Sequence, residues 1–168
     1  MWTVGAALAA WMAGGAVVAA ERAASGPEWL TDFEKAKQQS AEKKVPILAD
    51  FTGSDWCQWC QKLDKEVLSQ KAFQDFAKAN VVLFMADFPQ VKKIPAETKK
   101  QNQDLAKKYN VRGFPTILLL DASGNVMDQT GYQAGGAEKY VEHLKQLLSK
   151  KPADAKAKTD GAAAAPAK

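Results

Sequence analysis

Val45-Pro46-Ile47-Leu48-Ala49-Asp50-Phe51-Thr52-Gly53-Ser54-Asp55-Trp56-Cys57-Gln58-Trp59-Cys60 is the stretch on which the fold turns. Residues 45–51 form a short apolar run rich in β-branched side chains, the signature of a buried strand. Thr52-Gly53-Ser54-Asp55 breaks it, and from Cys57 to about Leu68 the apolar positions (Cys60, Leu63, Val67) fall on one helical face. Both cysteines of the chain therefore sit where a strand gives way to a helix. Three consequences follow from that placement. Free N–H groups and partial positive charge at the helix start stabilise a thiolate at Cys57. A spacing of three brings the second sulfur onto the same face, close enough to bridge. Cys60, one turn further in, is expected to be shielded and less acidic. One thiol to attack and one to resolve is the minimum for dithiol–disulfide exchange.

Outward from this junction, residues 28–44 read as a helix with Trp29, Leu30, Phe33, Ala36 and Lys37 at helical spacing. Ser69 reads as the N-cap of a helix over 70–80. Residues 81–87 are a second buried strand, 88–96 a loop with two prolines and two lysines, and 97–109 a helix. Residues 114–121 and 126–131 flank Ser123-Gly124-Asn125 as a hairpin, and 136–149 close the domain as a helix with Tyr140, Val141, Leu144 and Leu148 inward. Helices between strands imply parallel pairing, and the hairpin adds an antiparallel strand. The expectation is an α/β fold with a mixed four-stranded sheet flanked by helices.

The segments "VPILADFTGSDWCQWCQKLDKEV" and "YNVRGFPTILLLDASGNV" resemble the thioredoxin-like superfamily, most closely its exported members with a WCxWC motif. The likeness spans residues 28–149, nearly all of the part expected to fold. It implies a thioredoxin-like fold and redox exchange with protein thiols and disulfides, with Cys57 attacking and Cys60 resolving. It implies no dissociable cofactor, but a redox partner that resets the dithiol. It equates Pro115 with the family's cis-proline, which would present the backbone of Phe114 to an extended substrate segment. It equates Asp50 with the buried carboxylate that accepts a proton from the resolving thiol; the other reading of Asp50 is a solvated strand-end carboxylate.

Three features depart from that pattern. Gln58-Trp59 between the cysteines offers neither a histidine nor a proline. Asp50 stands seven residues before Cys57, one more than is usual, and Gly53 is expected to absorb the difference in a bulge. The lysine that often partners the carboxylate is absent, since 81–86 is wholly apolar, which favours a raised pKa at Asp50. Trp56 reads as a wall beside the cysteines. Trp59 has two readings, an exposed substrate contact or a partner packed on Trp56. Asp55 and Asp64 read as solvated, Asp55 with the added effect of opposing a thiolate at Cys57. His143 reads as a surface or boundary residue.

Composition narrows the function further. Of 168 residues, 46% are hydrophobic and 25% charged, values that exclude collagen-like and wholly disordered chains. Two cysteines are too few for a disulfide-stapled scaffold, and with a single histidine they fall short of the four Cys and His ligands typical of a structural zinc site in one chain. The net charge of +4 sits mostly in the last nineteen residues, so it describes a tail, not a nucleic-acid-binding face. Lys92, Lys93, Lys99 and Lys100 read as a solvated loop and helix start.

Residues 2–20 carry no charge and end in Val18-Ala19-Ala20, which reads as a signal peptide over residues 1–20 cleaved before Glu21. The run also nears the length that spans a bilayer, so a retained membrane anchor facing the exterior is the alternative. Residues 21–149 are assigned to the thioredoxin-like domain and 150–168 to a disordered Ala/Lys/Pro tail. The expected protein is a monomer, periplasmic or otherwise exported. Two functions are weighed: a thiol–disulfide oxidoreductase, and a redox-inactive binding module that captures extended peptide segments.

Overall fold

The computed structural model describes residues 26–150; the signal or anchor segment and the tail beyond Lys150 lie outside the described residues. Eleven short elements follow one another. They are β1 (Trp29–Leu30), α1 (Phe33–Lys43), β2 (Ile47–Thr52), α2 (Gln58–Leu63), a π-helical turn (Asp64–Leu68), α3 (Lys71–Asn80), β3 (Val82–Asp87), α4 (Ala96–Lys108), β4 (Thr116–Leu120), β5 (Val126–Thr130) and α5 (Gly136–Ser149).

The sheet is mixed, in the order β1-β3-β2-β4-β5. β2 lies at its centre, parallel to β3 (Ile47 opposite Val82 through Thr52 opposite Asp87) and antiparallel to β4 (Ile47 opposite Leu120). All six residues of β2 and all five of β4 are buried, as expected of apolar runs covered on both faces. Alternation along β2 sorts the core. Leu48 joins Leu63, Val67, Phe73, Tyr140 and Leu144 beneath α2, α3 and α5. Ile47, Ala49 and Phe51 join Phe33, Ala36 and Leu105 beneath α1 and α4.

The sheet has five strands where the sequence led us to expect four. Trp29 and Leu30 pair in parallel with Leu83 and Phe84 instead of opening a helix. Helical spacing alone cannot separate these readings, but Asp32 can. Its side chain accepts from the N–H groups of Glu34 and Lys35 at 3.0 and 3.2 Å, so the helix starts after it, and the preceding residues are free to pair along the edge of β3. Ser69 is not the N-cap of α3. Its N–H reaches the Asp64 carbonyl five residues back at 2.8 Å and its hydroxyl the Asp64 carboxylate at 3.1 Å, closing the π turn, while Gln70 stands at the cap of α3. The extra residue in that turn lets Val67 and Leu68 both be buried.

The strand directions gather four loops at one end of the sheet. Thr52 lies opposite Asp87, Phe51 opposite Thr116 and Ile117 opposite Thr130. The chain after β2, after β3, before β4 and after β5 therefore emerges at the same end.

Candidate active site

At that end β2 stops at Thr52 and the chain turns through Gly53. The Gly53 carbonyl accepts from the N–H groups of Trp56 at 3.2 Å and Cys57 at 2.9 Å. A Cβ on Gly53 would stand 2.6 Å from the Trp56 indole, so only glycine allows that ring to lie over the turn. The β2–β3 pairing runs without a register shift to Thr52, so the extra residue before Cys57 is absorbed in this turn and not in the expected bulge.

Cys57 is the N-cap of α2, with extended backbone, and its Sγ accepts from the Cys60 N–H at 3.2 Å. Cys60 lies one turn inside, and the two are joined as a disulfide with Cα atoms 5.2 Å apart. Both are buried. The sulfur outside the first turn faces the unpaired N–H groups of the helix start, the arrangement that lowers a thiol pKa once the bond is reduced.

Asp50 shares the face of β2 that carries Leu48, beneath α2 and α5. It is 3% exposed and its Oδ1 has no hydrogen-bond partner. Across the sheet it meets only Met85 and Ile117. The solvated reading of Asp50 is overturned: burial, reinforced by the negative charges of Asp64 and Asp87, pushes its carboxyl up to about 7. Tyr140 lies on the same face, its hydroxyl donating to the Gly131 carbonyl at 3.1 Å. Burial foremost, and the Asp50 charge second, raise the Tyr140 pKa.

Aromatic side chains stand around the cysteines in two groups. Trp56 packs edge-on against Phe114, with ring centroids 5.9 Å apart, and its Nε1 donates to the Phe88 carbonyl at 2.8 Å. Phe88 lies 5.0 Å from Phe114. The Phe114–Pro115 peptide bond is cis, as the family resemblance implied. On the other side Trp59, 54% exposed, packs on Tyr132 at 5.3 Å and not on Trp56. Lys62 Nζ sits 5.3 and 5.2 Å from those two rings, and the Tyr132 hydroxyl donates to Glu66 at 2.7 Å.

Sequence reasoning missed Phe88, Tyr132 and Lys62. Phe88 and Tyr132 stand one and two residues beyond strands that end at the same end of the sheet as β2, a signal readable only once strand directions are known. The Asp55 carboxylate is solvent-exposed as expected, but its hydrogen-bond partners were not foreseen. It accepts from three successive backbone N–H groups, those of Gln90, Val91 and Lys92, at 2.9, 2.8 and 2.8 Å. These bonds hold its pKa below the usual carboxylate range. His143 occupies a boundary position, its Nε2 3.0 Å from Thr130 Oγ1 and 2.8 Å from Gln133 Nε2, away from the cysteines. Among the described residues no group of three or more His, Cys, Asp or Glu side chains is placed to hold a metal ion. No helix among them is long and apolar enough to cross a membrane.

A family model described as Thioredoxin-like domain matches residues 33–148. The chain is 36% identical over 126 residues to the disulfide bond reductase DsbH of Chlamydia pneumoniae, covering 75% of each chain. It is 29% identical to the thioredoxin-related protein DsbJ of the same organism, over 71% of this chain and 36% of that one. A solved DsbH oxidoreductase superposes with a TM-score of 0.72 at 32% identity, over 83% of this chain and 96% of that one. A Thermus thermophilus thioredoxin, 17% identical, shares the fold with a TM-score of 0.56, over 74% of this chain and 89% of that one.

Proposed function

The chain belongs to the thioredoxin-like family, and from that premise we propose that it is a reductant of protein disulfides working outside the cytoplasm. One observation carries the exchange chemistry: Cys57 caps the helix that holds Cys60 one turn away, and the two sulfurs are bonded. The direction of electron flow is proposed from the likeness to a disulfide bond reductase.

In the proposed cycle the reduced Cys57 thiolate attacks one sulfur of a substrate disulfide. A mixed disulfide forms, and the substrate's other sulfur leaves as a thiolate that takes a proton. The Cys60 thiol then gives up its proton and attacks the Cys57 sulfur. The Cys57–Cys60 disulfide forms and the second substrate sulfur leaves as a thiol. Two electrons pass to the substrate, and a redox partner re-reduces the pair by supplying two more. Asp50 is proposed as the acceptor of the Cys60 proton. A carboxyl near 7 changes protonation in the range where that transfer is useful. Trp56, Trp59, Phe114 and Pro115 are proposed to contact the substrate segment, on the strength of their place around the disulfide. Export is proposed from the uncharged run over residues 2–20, with residues 21–149 as the working domain.

The test is reduction of insulin by the pre-reduced protein, together with equilibration of the 57–60 pair against glutathione. We expect Cys57→Ser to abolish insulin reduction and Cys60→Ala to accumulate mixed disulfides with exported proteins. A potential near that of thioredoxin, about −270 mV, supports a reductase, and one near about −120 mV overturns that direction. No insulin reduction by the pre-reduced wild-type protein would leave only a binding module, and turnover unchanged in Cys57→Ser would overturn Cys57 as the attacking group.

A further inference from the structure

Asp55 stands two residues before the attacking cysteine, where a free carboxylate would oppose the thiolate. Its oxygens are instead taken up by three consecutive N–H groups of the segment between β3 and α4, Oδ1 by Gln90 and Oδ2 by Val91 and Lys92. That segment is drawn to the active-site turn by further bonds. Ser54 donates through its N–H and hydroxyl to the Asp87 carboxylate at 3.0 and 2.7 Å, and Trp56 Nε1 donates to the Phe88 carbonyl. Phe88 in turn packs on Phe114, beside the cis-proline. Phe88 itself is held at both backbone groups, its N–H donating to the Thr52 carbonyl at 2.8 Å and its carbonyl accepting from Trp56. Beyond it Pro89 has no N–H to give and Val91 is 81% exposed, so the Asp55 clamp is what ties down residues 90–92.

We propose that Asp55 is a positioning residue for the exchange reaction, fixing residues 90–92 so that this stretch extends the Phe88–Trp56 pair into a rigid wall against which a protein substrate, but not a small disulfide, is oriented. The inference rests on the exchange activity proposed above and adds to it a determinant of selectivity for protein disulfides. The wall acts on substrate placement and not on the sulfurs. Releasing it therefore raises the KM for large substrates while leaving the intrinsic reactivity of the pair in place.

The experiment compares wild type, Asp55→Ala and Asp55→Asn, each pre-reduced, on insulin and on bis(2-hydroxyethyl) disulfide, a substrate with no polypeptide segment to lay along the wall. Asp55→Ala is expected to raise the insulin KM about tenfold while its rate on the small disulfide stays within about twofold of wild type. Asp55→Asn keeps one acceptor oxygen, and its insulin KM is expected to fall between the two. If the alanine variant loses its cooperative thermal transition, the asparagine variant carries the same comparison. An unchanged insulin KM, or equal losses on both substrates, overturns the positioning role. Wild type inactive on both substrates would remove the proposed function itself, so the two failures are distinguishable.

Discussion

Asp50→Asn tests whether a buried carboxyl is strained by its own charge. Asp50 is 3% exposed, its Oδ1 has no partner, and its pKa stands at about 7 against an ordinary 3.8. The folded protein therefore holds this proton more tightly than the unfolded chain does. Below about pH 4 the carboxyl is neutral in both states and costs nothing. As pH rises from 3.8 towards 7 the unfolded chain ionises first, and stability falls. Above 7 the loss is complete, about 4 kcal/mol at 1.36 kcal/mol per pH unit. Between pH 5 and pH 8 the same arithmetic gives a loss of about 3 kcal/mol. Asparagine does not ionise. Its buried amide adds a cost of about 1–3 kcal/mol, but that cost does not change with pH. Urea denaturation of the oxidised proteins at pH 5 and pH 8 isolates the effect, because other titrating groups act equally in both and cancel. The stability of Asp50→Asn relative to wild type is expected to rise by about 3 kcal/mol from pH 5 to pH 8, with equal m-values. A change below about 1 kcal/mol would mean that Asp50 titrates as an ordinary carboxyl. A change of opposite sign would mean that it is held ionised, and either result refutes the argument from burial.

Gly53→Ala would set a Cβ 2.6 Å from the Trp56 indole. We expect a loss of about 1–3 kcal/mol in urea denaturation and a changed near-ultraviolet circular dichroism signal as that ring is displaced. Intact-mass measurement of the protein recovered from outside the cytoplasm should give a chain beginning at Glu21; a chain that keeps residues 1–20 and sediments with membranes would favour the anchor.

The fold was legible in the sequence wherever a segment had one burial pattern available to it. Ile47–Phe51 and Thr116–Leu120 are too apolar and too short to be anything but central strands, and α5 spans Gly136–Ser149 as its periodicity required. Trp29–Leu30 was misread because two apolar residues before a helix fit its face as well as they fit a strand edge, and Asp32 as N-cap decides between them. The cysteine pair was legible because its chemistry is set locally, by spacing and by the strand–helix junction. The walls around it were not. Phe88 meets Trp56 across 32 residues, and Tyr132 meets Glu66 across 66, so neither contact follows from local pattern. The partners of Asp55 were hidden for a related reason: an aspartate in a polar stretch gives no sign that three backbone donors 35 to 37 residues away will converge on it.

Most of what breaks the ordinary rules of burial in this domain stands at one end of the sheet. Asp50 is a carboxyl buried without a full set of partners, and Trp56, Trp59 and Val91 are large apolar side chains left in water. Among the described residues the other large exposed apolar side chain, Val126, opens the outermost strand β5, where one face meets solvent in any case. At the opposite end, where Ile47 faces Val82 and Leu120, the buried polar side chain is Ser40, and its hydroxyl is satisfied by the Val45 carbonyl. A sequence selected for stability alone would have no reason to place these liabilities together, because each adds its cost independently. Their gathering at the end of the sheet that carries the disulfide is what the proposed exchange calls for: exposed rings to receive a substrate segment, and a carboxyl that titrates near neutrality to take a proton when the inner sulfur attacks.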